Sequence, residues 1–170
     1  VIRAVTGEQC TMGEIGSPEA HMRISGNIHF IADDDPHAIS IAAELLSYLP
    51  SNNMMDPPHD LEAELKLAVD PVLNELLPDD PRQGYDVRHV IQQISDRQRY
   101  LEVQSDFAPN IVIAFGRIGG VVVGYIANQP LVKAGALDID ASDKAARFIR
   151  FCNCFNIPIV TFVDVPGFLP

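Results

Sequence analysis

Hydrophobic residues change their spacing along this chain, and each change marks a different element. After Asp33-Asp34-Asp35-Pro36, residues Ala38, Ile41, Ala42, Leu45, Leu46 and Leu49 recur at helical spacing. The carboxylates suit the positive end of a helix and Pro36 its first turn, so a helix is predicted from there to a stop at Pro50. Val87, Val90, Ile91 and Ile94 lie on one face of a shorter helix with Asp86 as its cap. Tyr100 to Val103, Ile111 to Phe115 and Val121 to Ala127 then read as strands, and Gly119-Gly120 suits a hairpin turn between the last two. Helical spacing returns with Ala145, Phe148, Ile149 and Cys152, a buried stripe on a helix capped by Asp140 or Ser142. Pro158 opens an apolar strand from Ile159 to Val163.

The opening residues are less patterned. Val1 to Val5 reads as helix, and Thr11 followed by Glu14 fits a capping box at the start of a short helix. From Ser51 to Gly84, Pro57, Pro58, Pro71, Pro78 and Pro81 are mixed with Asp and Asn, which predicts an irregular connector with a short helix over Leu61 to Ala68. A connector of that length is uncommon inside one compact domain and favours two partial domains. Strand, hairpin, helix and a continuous apolar strand form an α/β order, whose ligands bind at carboxyl ends of strands. The active edge is therefore expected near Asp164 to Pro170.

An apolar fraction of 47% over 170 residues suffices for one ordinary core. A formal net charge of -11 argues against nucleic acid or an acidic membrane surface as partner. Lys133, Lys144, Arg147 and Arg150 form the one local cluster of cations, read foremost as a solvated helix face. Cys10, Cys152 and Cys154 give no paired framework and no zinc spacing, so Cys152 and Cys154 are read as packing residues. No signal peptide or long apolar run is visible, and a reducing cytoplasm fits best.

Four motifs now occur in order: Ala127-Asn128-Gln129-Pro130, Ala134-Gly135-Ala136-Leu137-Asp138, Ser142-Asp143-Lys144-Ala145-Ala146-Arg147-Phe148, and the run from Phe162 through Asp164-Val165-Pro166-Gly167-Phe168-Leu169-Pro170. Together they strongly resemble the carboxyltransferase (beta) subunits of biotin-dependent acyl-CoA carboxylases, of the propionyl-CoA carboxylase and methylmalonyl-CoA carboxyltransferase type. The resemblance covers nearly the whole chain and is strongest from Tyr85 onward. It implies a crotonase-like (ClpP/crotonase) α/β fold repeated twice. Residues 1–50 would close the first domain, 51–84 would be the proline-rich linker, and 85–170 would begin the second. A start within a helix without an initiator Met, and a stop on an active-site loop, read as a segment internal to a longer enzyme.

The activity implied is movement of a carboxyl group between carboxybiotin and the α-carbon of a short acyl-CoA. In that family the acyl-CoA is held mainly by the first domain and carboxybiotin by the second domain of a neighbouring subunit. The partners implied are biotin carboxyl carrier and biotin carboxylase components and further copies of the subunit, with no metal in this segment. Backbone amides at glycine turns would stabilise the enolate and ureido oxygens. The glycine pairs credited with this lie, by the resemblance, before Val1 and after Pro170, so no residue here is assigned as catalytic. Biotin or substrate-pocket lining falls to Asn128, Gln129, Gly135, Pro166, Gly167 and Phe168.

Blander readings stand beside these. Asn128 and Gln129 before Pro130 favour closing a turn over donating to a ligand. Asp138 and Asp140 are read as helix caps before general bases. His21 and Ser25 share a helix face, yet nothing around Ser25 resembles a nucleophile elbow. The spacing from His21 through Ser25-Gly26 to His29 itself belongs to the resemblance, and Gly16-Ser17 departs from it where relatives show Gly-Gly. The competing hypotheses are a non-catalytic stand-alone relative acting as an assembly or binding module, and a hydratase or hydrolase using Glu8 or Glu14.

Overall fold

The computed structural model describes residues 2–63, 70–80 and 83–169. Its helices are α1 (Ile2–Val5), α2 (Met12–Gly16), α3 (Pro18–Ala20), α4 (Asp35–Ser47), α5 (Val72–Leu76), α6 (Val87–Ile94) and α7 (Ile139–Cys154), and its strands are β1 (Tyr100–Val103), β2 (Ile111–Ile118), β3 (Val121–Asn128) and β4 (Ile159–Phe162). The strands form one sheet in the order β1-β2-β3-β4. The first three run antiparallel, and β3 pairs in parallel with β4 through the α7 crossover.

Alternation along β2 and β3 explains two helical layers. Ile111, Ile113, Phe115, Val122 and Ile126 face α7, where they meet Phe148 and Cys152. Val112, Ala114, Val123, Tyr125 and Ala127 face α6 and its Val87 and Ile91. Both faces are covered, so these strands read as unbroken apolar runs rather than alternating ones. Gly124 permits the close approach of α7, since a Cβ there would lie 2.7 Å from the Cys152 Sγ. Arg88 clamps α6 to the sheet through a bidentate pair with Glu102, at 2.7 and 2.8 Å.

The hairpin is built as expected. Gly119 and Gly120 have φ of 57° and 81°, and the Asp96 carboxylate accepts both of their amides at 2.9 and 2.7 Å. The Thr11 capping box is present in both halves, with Glu14 reaching back to the Thr11 amide. Ser17 caps α3, and no atom lies within 4 Å of a Cβ built on Gly16, so the Gly16-Ser17 turn makes no close approach there.

Helix α4 forms over Asp35–Ser47 as predicted, with none of it buried and Leu46 67% exposed. Only its C-terminal end docks, through Leu45 and the following Tyr48 and Leu49, with Tyr48 stacked on Phe115. The connector contains α5, which its prolines had not suggested, while the helix expected over Leu61 to Ala68 lies mostly outside the described residues. Helix α7 starts earlier than Asp140 or Ser142, because Asp138 caps it by accepting the Ala141 amide at 2.9 Å. Its inward stripe is Ala141, Lys144, Phe148 and Cys152, whereas Ile149 is exposed. Cys152 packs in the core, where burial pushes its thiol up to about 12, but Cys154 is exposed rather than a packing residue of the core.

Candidate functional site

The parallel pair β3 and β4 ends at the edge expected to be active, and two loops leave it side by side. Asn128, the last residue of β3, joins them. Its Nδ2 donates to the Gly135 carbonyl at 2.9 Å, and its Oδ1 accepts the Asp164 amide at 3.3 Å. Farther out the loops are laced by the Leu137 amide on the Gly167 carbonyl, at 3.1 Å, and the Leu169 amide on the Leu137 carbonyl, at 2.7 Å. Both polar ends of the Asn128 amide are therefore used inside the protein.

Gln129 is fully buried and works in the same way. Its Nε2 donates to Asp86 at 2.6 Å, while its Oε1 accepts the Val87 and Leu131 amides, each at 3.4 Å. It thus holds the start of the first loop against the N-terminus of α6. The chain then turns through Lys133, Ala134 and Gly135, with φ of 50°, 51° and 74°. At Gly135 a Cβ would stand 2.6 Å from the Asp164 carbonyl oxygen, so glycine is needed both for its φ and for space.

In the second loop Gly167 adopts φ of 152° with open space around it, and Phe168 is 77% exposed. Pro166 lines a cleft of about 540 Å³ together with Gly84, Tyr85, Pro130, Ala134 and Asp164. That volume falls in the range that takes a small ligand. Burial foremost, with the neighbouring Asp164 carboxylate, pushes the Tyr85 hydroxyl up to about 12. It remains a proton donor at any physiological pH.

Behind the loops sit side chains that sequence reasoning passed over. Asn110, fully buried, donates its side-chain amide to the Ala136 carbonyl at 2.8 Å and to Asp138 at 3.3 Å, and its backbone carbonyl accepts the Gln129 backbone N–H at 3.0 Å. Lys144 was grouped with surface cations, yet it is 1% exposed. Its ammonium donates to the carbonyls of Phe107, Ala108 and Ile111 at 2.7, 3.4 and 2.9 Å, clasping the turn that carries Asn110. Burial pushes Lys144 down to about 8. The signal was available: Ala141, Lys144 and Phe148 lie at helical spacing on one face. Asn110 offered none, since nothing local marks an asparagine before a strand as buried.

Asp138 is a cap rather than a base. Hydrogen bonding to Lys133 foremost, aided by the Ala141 amide and Asn110, holds its carboxyl down at about 2. The His21 Nδ1 lies 3.3 Å from the Ser25 hydroxyl, which donates to the His21 carbonyl of its own turn. Glu14 is absorbed in its capping box and Glu8 is exposed. Among the described residues no cluster of His, Cys, Asp or Glu could hold a metal, and no helix is long and apolar enough to cross a membrane.

Comparison with known proteins agrees with this geometry. The family model for the carboxyl transferase domain matches residues 1–170. The methylmalonyl-CoA carboxyltransferase 12S subunit of Propionibacterium freudenreichii subsp. shermanii is 52% identical over 175 residues, which cover 100% of this chain and 32% of that protein. The propionyl-CoA carboxylase beta chain of Saccharopolyspora erythraea is 50% identical over 178 residues, covering 100% of this chain and 33% of its own length. Among solved structures, the hexameric transcarboxylase 12S with hydrolysed methylmalonyl-coenzyme A bound superposes with a TM-score of 0.94 at 52% identity, over 99% of this chain and 33% of that one. The chain thus spans about a third of the length of the curated relatives it matches, and shares their crotonase-like α/β fold. With the motif order, the sheet and the laced loops all in agreement, this chain belongs to the carboxyl transferase domain family.

Proposed function

We propose that the protein containing this segment moves a carboxyl group between carboxybiotin and the α-carbon of a short acyl-CoA of the propionyl or methylmalonyl type. The observation that carries this reading is the loop pair at the ends of β3 and β4, which presents backbone and few titratable groups to an open cleft. Such a surface suits a reaction in which carbon dioxide leaves a ureido nitrogen and an enolate captures it, because the charges that develop are met by fixed amides. The biotin would be carried on a partner protein or domain, with biotin carboxylase and copies of the same subunit as further partners.

Within this reading Pro166, Gly167, Phe168 and Gly135 shape the surface that biotin meets, while Asn128 and Gln129 fix the loops from behind. Residues 1–50 end one carboxyltransferase domain, 51–84 link it to a second, and 85–170 begin that second domain. The sheet and both of its main helices fall in this last part. A reducing cytoplasm is the proposed location, in keeping with three free cysteines.

The test is an assay of the full-length subunit with methylmalonyl-CoA and free biotin, following biotin-dependent loss of the thioester's carboxyl group. Turnover that requires both substrates is the expected result. Turnover without biotin, or none in its presence, would sink the reading.

A further inference from the structure

We infer that Lys144 and Asn110 are positioning residues for the cleft loops: the Lys144 ammonium shapes the turn before β2, and Asn110, carried on that turn, holds residues 136–138 where the proposed biotin surface requires them. The assignment deepens the proposed function and rests on it.

The turn needs a cation. The carbonyls of Phe107, Ala108 and Ile111 converge on one point, where the Lys144 Nζ donates to them at 2.7, 3.4 and 2.9 Å. An ammonium has three donors and no acceptor, so the three oxygens use its whole capacity. Without it, three carbonyl dipoles would face one another in a space closed to water, since Lys144 is 1% exposed. Ala108 also adopts φ of 43°, and Gln104 before it φ of 53°, left-handed backbone that residues with a side chain disfavour. Local propensity therefore does not set this turn, and the charge on α7 does.

Asn110 passes that placement on. Its Nδ2 donates to the Ala136 carbonyl at 2.8 Å and to the Asp138 carboxylate at 3.3 Å, and its backbone carbonyl accepts the Gln129 backbone N–H at 3.0 Å. Its Oδ1 is buried and meets no donor among the described residues. Each hydrogen bond that this side chain makes there goes to the first loop, so a shift of the turn is transmitted to the loop. Leu137 in turn donates to the Gly167 carbonyl at 3.1 Å and accepts the Leu169 amide at 2.7 Å, which lays the second loop on the first. Neither Lys144 nor Asn110 lines the cleft, so both act through the loops rather than on a ligand.

The test uses the full-length subunit with free biotin and methylmalonyl-CoA, comparing wild type, Lys144→Met, Asn110→Ala and the double variant, and follows hydrogen exchange of the same proteins. KM for biotin should rise about tenfold in each single variant, the size expected for losing one neutral and one charge-assisted hydrogen bond on the loop, while KM for the acyl-CoA stays at its wild-type value. The double variant should rise no further than the larger single effect, because Lys144 acts through Asn110. Amides of 129–137 should exchange at least about tenfold faster in both single variants, and those of 107–111 in Lys144→Met alone, with the 112–127 hairpin unchanged. Asn110→Ala leaves the lysine's turn intact and keeps the test decisive if Lys144→Met folds poorly. Wild-type KM for biotin in the single variants, effects that multiply in the double variant, a parallel rise in both KM values, or faster exchange in the hairpin as well would overturn the positioning role and leave the proposed function standing. Absence of biotin-dependent turnover in the wild-type subunit would overturn the proposed function; wild-type exchange of 129–137 in Asn110→Ala would overturn the positioning role whatever the turnover.

Discussion

Gly135 carries constraints that few residue types meet together: a left-handed backbone and a neighbouring carbonyl with no room for a methyl group. Gly135→Ala should therefore cost about 1–3 kcal/mol and loosen the Asp164 loop before it harms the sheet. Urea unfolding of the full-length subunit, read beside KM for biotin, checks this; an unchanged midpoint would show that the loops yield freely. Asp138 makes the pH prediction. Its folded pKa of about 2 lies below the ordinary 3.8, so its stabilising contribution is complete above that ordinary value and is lost as pH falls through the folded one. Asp138→Asn removes the contribution, and the gap in melting temperature between wild type and variant should close as pH is lowered from about 5 to about 2. A gap that stays constant would refute the role given to the Lys133 pair. Both residues lay inside a motif readable in the sequence. The cap role of Asp138 was read there too, but the partners Asp164 and Asn110 are brought to these residues by the fold.

Helix α7 shows how an element can hide its own logic. Its Lys144 sits on the inward face with Ala141, Phe148 and Cys152, and its ammonium supplies a donor to each of three carbonyls in the turn before β2. A lysine on a charged helix reads by default as solvated, because burying an ammonium without acceptors is costly. Here the acceptors come from a turn more than thirty residues away, which no helical pattern reveals. Lys144→Met keeps much of the volume but strands those carbonyls, so a loss of about 2–4 kcal/mol is expected from denaturant unfolding. A neutral outcome would mean that water replaces the ammonium. Helix α4 forms where its spacing predicted, and the described residues cover only its C-terminal end.

At the scale of the whole molecule, apolar surface is left open. Ile39, Leu46, Val163 and Phe168 are each more than 60% exposed, and β4 pairs on one side only among the described residues. The isolated 170-residue chain is therefore expected to self-associate and to show no carboxyl transfer, as judged by light scattering and the biotin-dependent assay. A monodisperse monomer with turnover would contradict both expectations. The sequence by itself determined the strands, the Gly119-Gly120 hairpin, the caps at Thr11 and Asp86 and the α/β order. These follow from spacing and local hydrogen bonding, which act between residues close along the chain. Only the tertiary structure decided that Asn128 and Gln129 serve the loops, that Lys144 and Asn110 lie beneath them, and that Tyr85 and Asp164 line one cleft. Those roles depend on where distant segments place their donors and acceptors, and a buried polar group is defined by the partner that satisfies it.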